Sequence, residues 1–195
     1  LVGVLSSIQK ALFSIFGLCL VPLGLYLVFL GLVFFLSAKI STMKAQTAQM
    51  VFWVYAGLMG LSLSYIFMVY TGASITRVFF ITSGAFAGLS LYGYTTKRDL
   101  SGMKSFLVMG VIGLMIAMVV NIFLESSAMQ FVISVLGVLI FAGLTAYDTQ
   151  QIKSIYMKSD GSETHEKKAI MGALRLYLDF LNMFLFMLHL FGNRE

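Results

Sequence analysis

The sequence predicts an all-α integral membrane protein, and three observations carry that prediction. Hydrophobic residues fill 59% of the 195 positions and charged residues only 11%, whereas a soluble domain carries roughly 25% charged residues. Mean hydropathy is +0.95, which is more apolar surface than a water-soluble fold can hide. The apolar residues also fall into runs long enough to cross a bilayer, whose core of about 30 Å needs roughly 20 helical residues at about 1.5 Å each.

Cutting the chain at its charges leaves about six such segments, near residues 11–37, 51–71, 76–95, 104–124, 129–149 and 169–191. The first holds no acidic or basic side chain; Pro22 is expected to kink it or mark its boundary. It also holds Cys19, the only cysteine, so an intrachain disulfide and a Cys-based zinc site are excluded. In the next three segments, Gly57 with Gly60, Gly84 with Gly88 and Gly110 with Gly113 put small residues on single helix faces, where neighbouring backbones are expected to approach closely. The fifth is free of acidic residues until Asp148. The last contains Arg175, Asp179 and His189; a central charge costs about 2.5–3.5 kcal/mol on insertion scales, so this helix must face protein or water. The expected organisation is one transmembrane domain over residues 1–195, without a soluble companion.

Basic residues alternate between connections: Lys39 and Lys44 in one, Lys97, Arg98 and Lys104 in the next but one, and Lys153, Lys158, Lys167 and Lys168 in the next but one again. These connections are expected to be cytoplasmic, with Arg77 and Glu125 on the opposite side. The net charge of +5 is therefore a topological signal, and no nucleic-acid partner is implied. This alternation makes residues 11–37 enter from the non-cytoplasmic side. With Leu1 in place of Met and no signal-peptide pattern, a helix upstream is expected to be lost or represented only by residues 1–9.

On the last helix, Gly172, Arg175, Asp179, Asn182, Phe186 and His189 alternate in spacing by three and four, which gathers them on one stripe. Such a stripe is expected to point inward, making the last helix the centre of the bundle. Counting from Lys153 and Lys168, Asp148 lies about 7 Å and Asp179 about 16 Å from the cytoplasmic boundary. Spacing alone does not bring them level; tilt, or a helix beginning later than Lys168, would. If they meet, two buried carboxylates cannot both ionise cheaply and titrate as a unit. Protonated, one hydrogen-bonds the other and pins two helices; ionised, the pair repels or is neutralised by a divalent cation such as Ca²⁺. The plainer alternative is that Arg175 neutralises Asp179 at i and i+4 while Asp148 anchors a helix end. His165 and His189 are weaker candidates for metal or pore contacts.

Two of these stretches, Ala146-Tyr147-Asp148-Thr149-Gln150-Gln151-Ile152-Lys153 and Leu176-Tyr177-Leu178-Asp179-Phe180-Leu181-Asn182, resemble the signatures of the Bax inhibitor-1 family, the transmembrane Bax inhibitor motif proteins. Phe52-Trp53-Val54-Tyr55, Gly60-Leu61-Ser62-Leu63 and Thr95-Thr96-Lys97-Arg98-Asp99-Leu100-Ser101 resemble its bacterial branch, and the likeness runs from about Phe34 to Gly192. The resemblance implies a seven-helix fold with a central last helix and a pH-sensitive calcium leak gated by a diaspartyl pair, Asp148 and Asp179. Arg175 and Asn182 would support the gate. It also implies a bacterial inner-membrane location, with Ca²⁺ and protons as what the protein handles and no tightly bound cofactor. The chain departs from the pattern at its start, where the first family helix is absent or truncated. Some members carry a carboxylate and an Arg on the second helix that have no counterpart in 11–37.

An enzyme is not expected. Intramembrane aspartyl proteases also place Tyr-Asp on one helix and Asp on the next, but Asp179 follows Leu176-Tyr177-Leu178 rather than a Gly-x-Gly turn, and no Pro-Ala-Leu motif lies downstream. The Gly60-Leu61-Ser62-Leu63-Ser64 run has no Gly loop or placed histidine to make a serine protease. Motifs for phosphates, dinucleotides and zinc are absent. The rival reading is a regulatory membrane protein that acts by binding other membrane proteins, in quality control or stress response, without ion flux.

Overall fold

The structure, a computed structural model, describes residues 44–156 and 161–193. The segment 11–37 with Cys19 and Pro22, the connection residues Lys39 and Lys158, and residues 1–9 lie outside the described residues. The regular elements among the described residues are helices. They fall into two units, Leu1–Leu63 and Ser64–Glu195.

Of the first unit the described part is α1, Ala45–Ser62. It begins at Ala45 rather than at 51, because Ala45, Gln46, Thr47, Ala48 and Gln49 contain no helix breaker. Phe52 and Trp53 stand edge to face, with ring centroids 5.7 Å apart.

The second unit opens with the short α2, Ile66–Val69. It continues through α3, Gly72–Thr95, α4, Lys104–Leu124, α5, Ser127–Ile155, and α6, Ser162–Phe191. Five helical stretches among the described residues are long and apolar enough to cross a membrane: Ala45–Val69, Gly72–Thr95, Ser101–Leu124, Ser127–Ile155 and Ser162–Phe191. Their outward faces carry what a hydrocarbon solvent tolerates. On α4, Phe106, Met109, Ile112, Ile116, Ile122 and Phe123 are all exposed.

Capping chemistry fixes the turns. Thr71 Oγ1 accepts the Ser74 amide at 3.3 Å and starts α3; Ser126 Oγ accepts the Met129 amide at 3.3 Å and starts α5. Between α4 and α5, Glu125 adopts the left-handed conformation with φ 48°, so two residues suffice to reverse the chain. Buried Asn121 holds this reversal, accepting the Ser126 amide at 3.2 Å and donating to Gln130 Oε1 at 3.1 Å.

Helix α5 packs against α3, α4 and α6, and α3 also packs against α6. Among the described residues the hub is therefore α5, whereas the stripe on the last helix had pointed to α6. Helix α6 does carry a long buried series, including Gly172, Leu174, Asp179, Leu181, Met183, Phe184, Phe186 and Leu188. The stripe itself divides: Gly172, Asp179 and Phe186 are buried and Asn182 partly so, but Arg175 and His189 are exposed. The buried face is turned toward Leu181 and Leu188, because the apolar residues outweigh the polar ones in setting it.

Of the glycines expected to bring helices together, Gly110 does so, and Gly93 and Gly137, not among them, do as well. A Cβ on Gly93 would run into the Ala146 carbonyl oxygen, and one on Gly137 would lie 2.6 Å from the Phe186 ring. At Gly110 it would lie 2.9 Å from Ile140, but Gly57, Gly60, Gly84, Gly88 and Gly113 have no described atom within 4 Å of that position. Small residues permit a close approach; they do not show which of their faces receives it.

Candidate functional site

The antiparallel pairing of α5 and α6 is set by contacts that step in opposite directions along the two helices. Lys168 Nζ donates to the Ile155 carbonyl at 2.7 Å, and Ile152 lies 3.1 Å from where a Gly172 Cβ would be. One turn deeper, Arg175 Nη1 stands 3.9 Å from Asp148 Oδ1, and deeper still Phe186 covers Gly137. Arg175 is thus the residue level with Asp148, and Asp179 lies one turn further in. The two carboxylates are thus neighbours on the diagonal between the helices.

The depth mismatch narrows to one turn but remains: the last helix starts earlier than Lys168, not later, and Lys168 is level with Ile155 at the extended end of α5 rather than with Lys153. Helix α6 begins at Ser162, so Lys167 and Lys168 belong to its first turns and do not mark its entry. Lys168 bends back to the last carbonyl of α5, as a long cationic side chain at a helix C-terminus does.

Asp179 is 5% exposed, and its Oδ2 is buried without a hydrogen-bond partner among the described residues. Asp148 is more open, its side chain 13% exposed beside the half-exposed Arg175. The ion pair expected within α6, Arg175 with Asp179, is replaced by one between helices, Arg175 with Asp148. Asn182 donates its amide to the Leu178 carbonyl at 2.8 Å, within its own helix. His189 sits at the other end of α6, its Nδ1 2.8 Å from the Leu185 carbonyl and its ring edge-on to Tyr70. His165 stacks on Tyr156 with centroids 4.7 Å apart.

One residue of the Tyr-Asp motif has a role that spacing did not reveal. Gln150 Oε1 accepts the Leu100 amide at 2.9 Å and its Nε2 donates to the Arg98 carbonyl at 2.8 Å. Lys153 adds a bond to the Tyr94 carbonyl at 2.8 Å and lies 4.5 Å from that ring's centroid. The α3–α4 connection is thereby fastened to α5 beside Asp148, so the Lys97–Lys104 and Lys153–Lys168 clusters share one end of the bundle. Within this connection the Ser101 amide donates to Asp99 Oδ1 at 2.9 Å, which holds the Asp99 carboxyl below its ordinary range. The only signal for the clamp was a Gln one turn from two charged residues.

Two carboxylates supply at most four oxygens, fewer than the six to eight that Ca²⁺ takes. No cluster of three or more His, Cys, Asp or Glu side chains is present among the described residues.

Five described helices long and apolar enough to cross a bilayer define a polytopic membrane protein, in contact with the lipid bilayer. Residues 1–195 match the family model described as "Inhibitor of apoptosis-promoting Bax1", and the chain belongs to the Bax inhibitor-1 family. It is 52% identical over 166 residues to an uncharacterised protein of Rickettsia prowazekii (strain Madrid E), covering 85% of this chain and 70% of the relative. It is 49% identical over 175 residues to the inner membrane protein YbhL of Escherichia coli (strain K12), covering 89% and 75%. An uncharacterised membrane protein of Streptococcus pyogenes serotype M3 shares 36% over 161 residues, covering 83% and 70%.

Proposed function

We propose that the protein is a pH-sensitive calcium leak, a channel or transporter in which Asp148 and Asp179 form a proton-controlled latch between α5 and α6. The observation that carries this reading is the buried, unpartnered Oδ2 of Asp179 beside a second carboxylate. An ionised, uncompensated carboxylate in such a place is expensive, and a proton or a cation relieves it.

With one proton shared, the hydroxyl of one carboxyl donates to the other and ties α6 to α5. With both ionised, two neighbouring like charges in a medium of low effective dielectric repel by on the order of a few kcal/mol. That is enough to reverse a two-state equilibrium poised within a few kcal/mol. Arg175 then competes with an incoming cation for Asp148, and this competition lets the cation pass rather than remain. The same reading makes residues 1–195 a single transmembrane domain of the bacterial inner membrane, with the lysine-rich end of the bundle in the cytoplasm.

The test is calcium-dye fluorescence in liposomes holding the full-length protein, from about pH 5.5 to 8.5, a window that spans the sharing and loss of a carboxyl proton at a buried pair. Wild type is expected to pass calcium with a pH response that Asp148→Asn and Asp179→Asn both alter. Vesicles that leak no faster than empty ones at any pH would overturn the leak and turn the search toward membrane-protein partners.

A further inference from the structure

Hydroxyls inside helices ordinarily return to the carbonyl about one turn back. Thr76, Ser83, Thr95, Ser134, Thr145 and Thr149 all do so here, donating to residues four positions earlier at 2.7–2.9 Å. Thr82 and Ser90 of α3 do not. Both hydroxyls are buried without a hydrogen-bond partner among the described residues, and Thr82 is 0% exposed. A buried hydroxyl that declines the bond its own helix offers needs another oxygen, and water or an ion is the usual one.

Their placement says where that oxygen would be. Phe79, Thr82, Phe86, Ser90 and Gly93 are spaced by three and four, one face of α3. Phe79 and Phe86 both meet Phe180 of α6 edge-on, at 5.7 and 5.4 Å, and Gly93 abuts Ala146 of α5. Thr82 and Ser90 therefore face the junction of α3, α5 and α6. Phe180, wedged between the two rings, is level with Thr82, and the preceding residue is Asp179, whose Oδ2 is the third unpartnered oxygen of this unit. Three buried oxygens without donors or acceptors thus fall along one junction, on two helices.

We infer that Thr82 and Ser90 line a hydrated passage for the cation, running past Asp179 between α3, α5 and α6. Their hydroxyls replace part of the water shell that the ion sheds there. This rests on the leak reading, so the test has one arm that needs no flux.

In a Cys19→Ala background of the full-length protein in liposomes, the Thr82→Cys, Ser90→Cys and Phe80→Cys variants are treated with a charged methanethiosulfonate. Phe80, 68% exposed on the outward face of α3, is the lipid-facing control. Only a hydrated thiol ionises and reacts, so the Thr82→Cys and Ser90→Cys variants are expected to label at least about tenfold faster than the control. Equal, slow labelling would mean a dry junction and overturn the inference. In the second arm, Thr82→Val should lower calcium flux by roughly three- to tenfold while Thr82→Ser retains it, since only the hydroxyl oxygen differs in function. If wild type leaks and Thr82→Val leaks equally, the inference falls and the latch stands. If wild type does not leak, the leak reading falls, and the labelling contrast alone decides whether the passage is wet.

Discussion

At Asp99 the link between protonation and folding has a definite sign. The Ser101 amide binds the ionised carboxylate, and the folded-state value lies below the ordinary 3.8. Stability from this bond is therefore fully present above the unfolded value and disappears as pH falls through the lower, folded one. The unfolding midpoints of wild type and Asp99→Ala in detergent should differ by a constant amount above about pH 5 and converge below about pH 4; a gap that widens in acid would contradict this. Gln150 makes a second residue-level case. Its two bonds to the Arg98 and Leu100 backbone are each worth about 1 kcal/mol net, so Gln150→Ala is expected to cost about 1–3 kcal/mol. The Leu100 amide should then exchange its hydrogen faster. Residue types were legible at this scale and partners were not: Asp148, Asp179 and Arg175 stand out as charges in apolar helices, but which pairs with which depends on the register of α5 against α6, which spacing within one helix does not carry.

At the scale of elements, the apolar runs located the described helices, and α4 matches its expected bounds at both ends. The longer helices overrun them. Helix α5 extends from the expected 149 to Ile155, and α6 starts at Ser162 rather than 169. Charges do not end a helix; they only end its contact with lipid, and Lys153 and Lys168 find carbonyl partners as it continues. Periodicity put Gly172, Asp179 and Phe186 on the buried face correctly, yet Arg175 and His189 shared the same spacing and are exposed. A stripe of six residues winds gradually around its helix, and the wide apolar face decides which of them stay inside. The glycines give a sharp test. Gly93→Ala forces a methyl against backbone that cannot yield and should destabilise by about 1–3 kcal/mol. Gly84→Ala, with no described neighbour in reach, should be neutral or stabilise by up to about 1 kcal/mol through helix propensity. Thermal unfolding in detergent distinguishes them, and equal effects would contradict the assigned α3–α5 contact.

For the whole molecule, composition alone announced a helical membrane protein, and the family signatures lie in the two helices that hold the carboxylates. Within the second unit, the many contacts of α5 were illegible, because apolar packing leaves no polar stripe to mark them. Both lysine-rich connections of the second unit fall at one end, joined through Gln150 and Lys153, with the Glu125 reversal at the other end of α4. In spheroplasts, again with Cys19 replaced, Lys97→Cys and Glu163→Cys should be shielded from an impermeant thiol reagent while Glu125→Cys is labelled; the reverse pattern would invert the assigned topology. The most direct test of the latch is a double-mutant cycle on pH-dependent calcium flux in liposomes, comparing Asp148→Asn, Asp179→Asn and the combined variant. A shared proton makes the two residues one unit, so the combined variant should differ from wild type no more than either single variant does. Independent effects that add in the double variant, or a pH response that survives it unchanged, would show that the two carboxylates do not act as a pair.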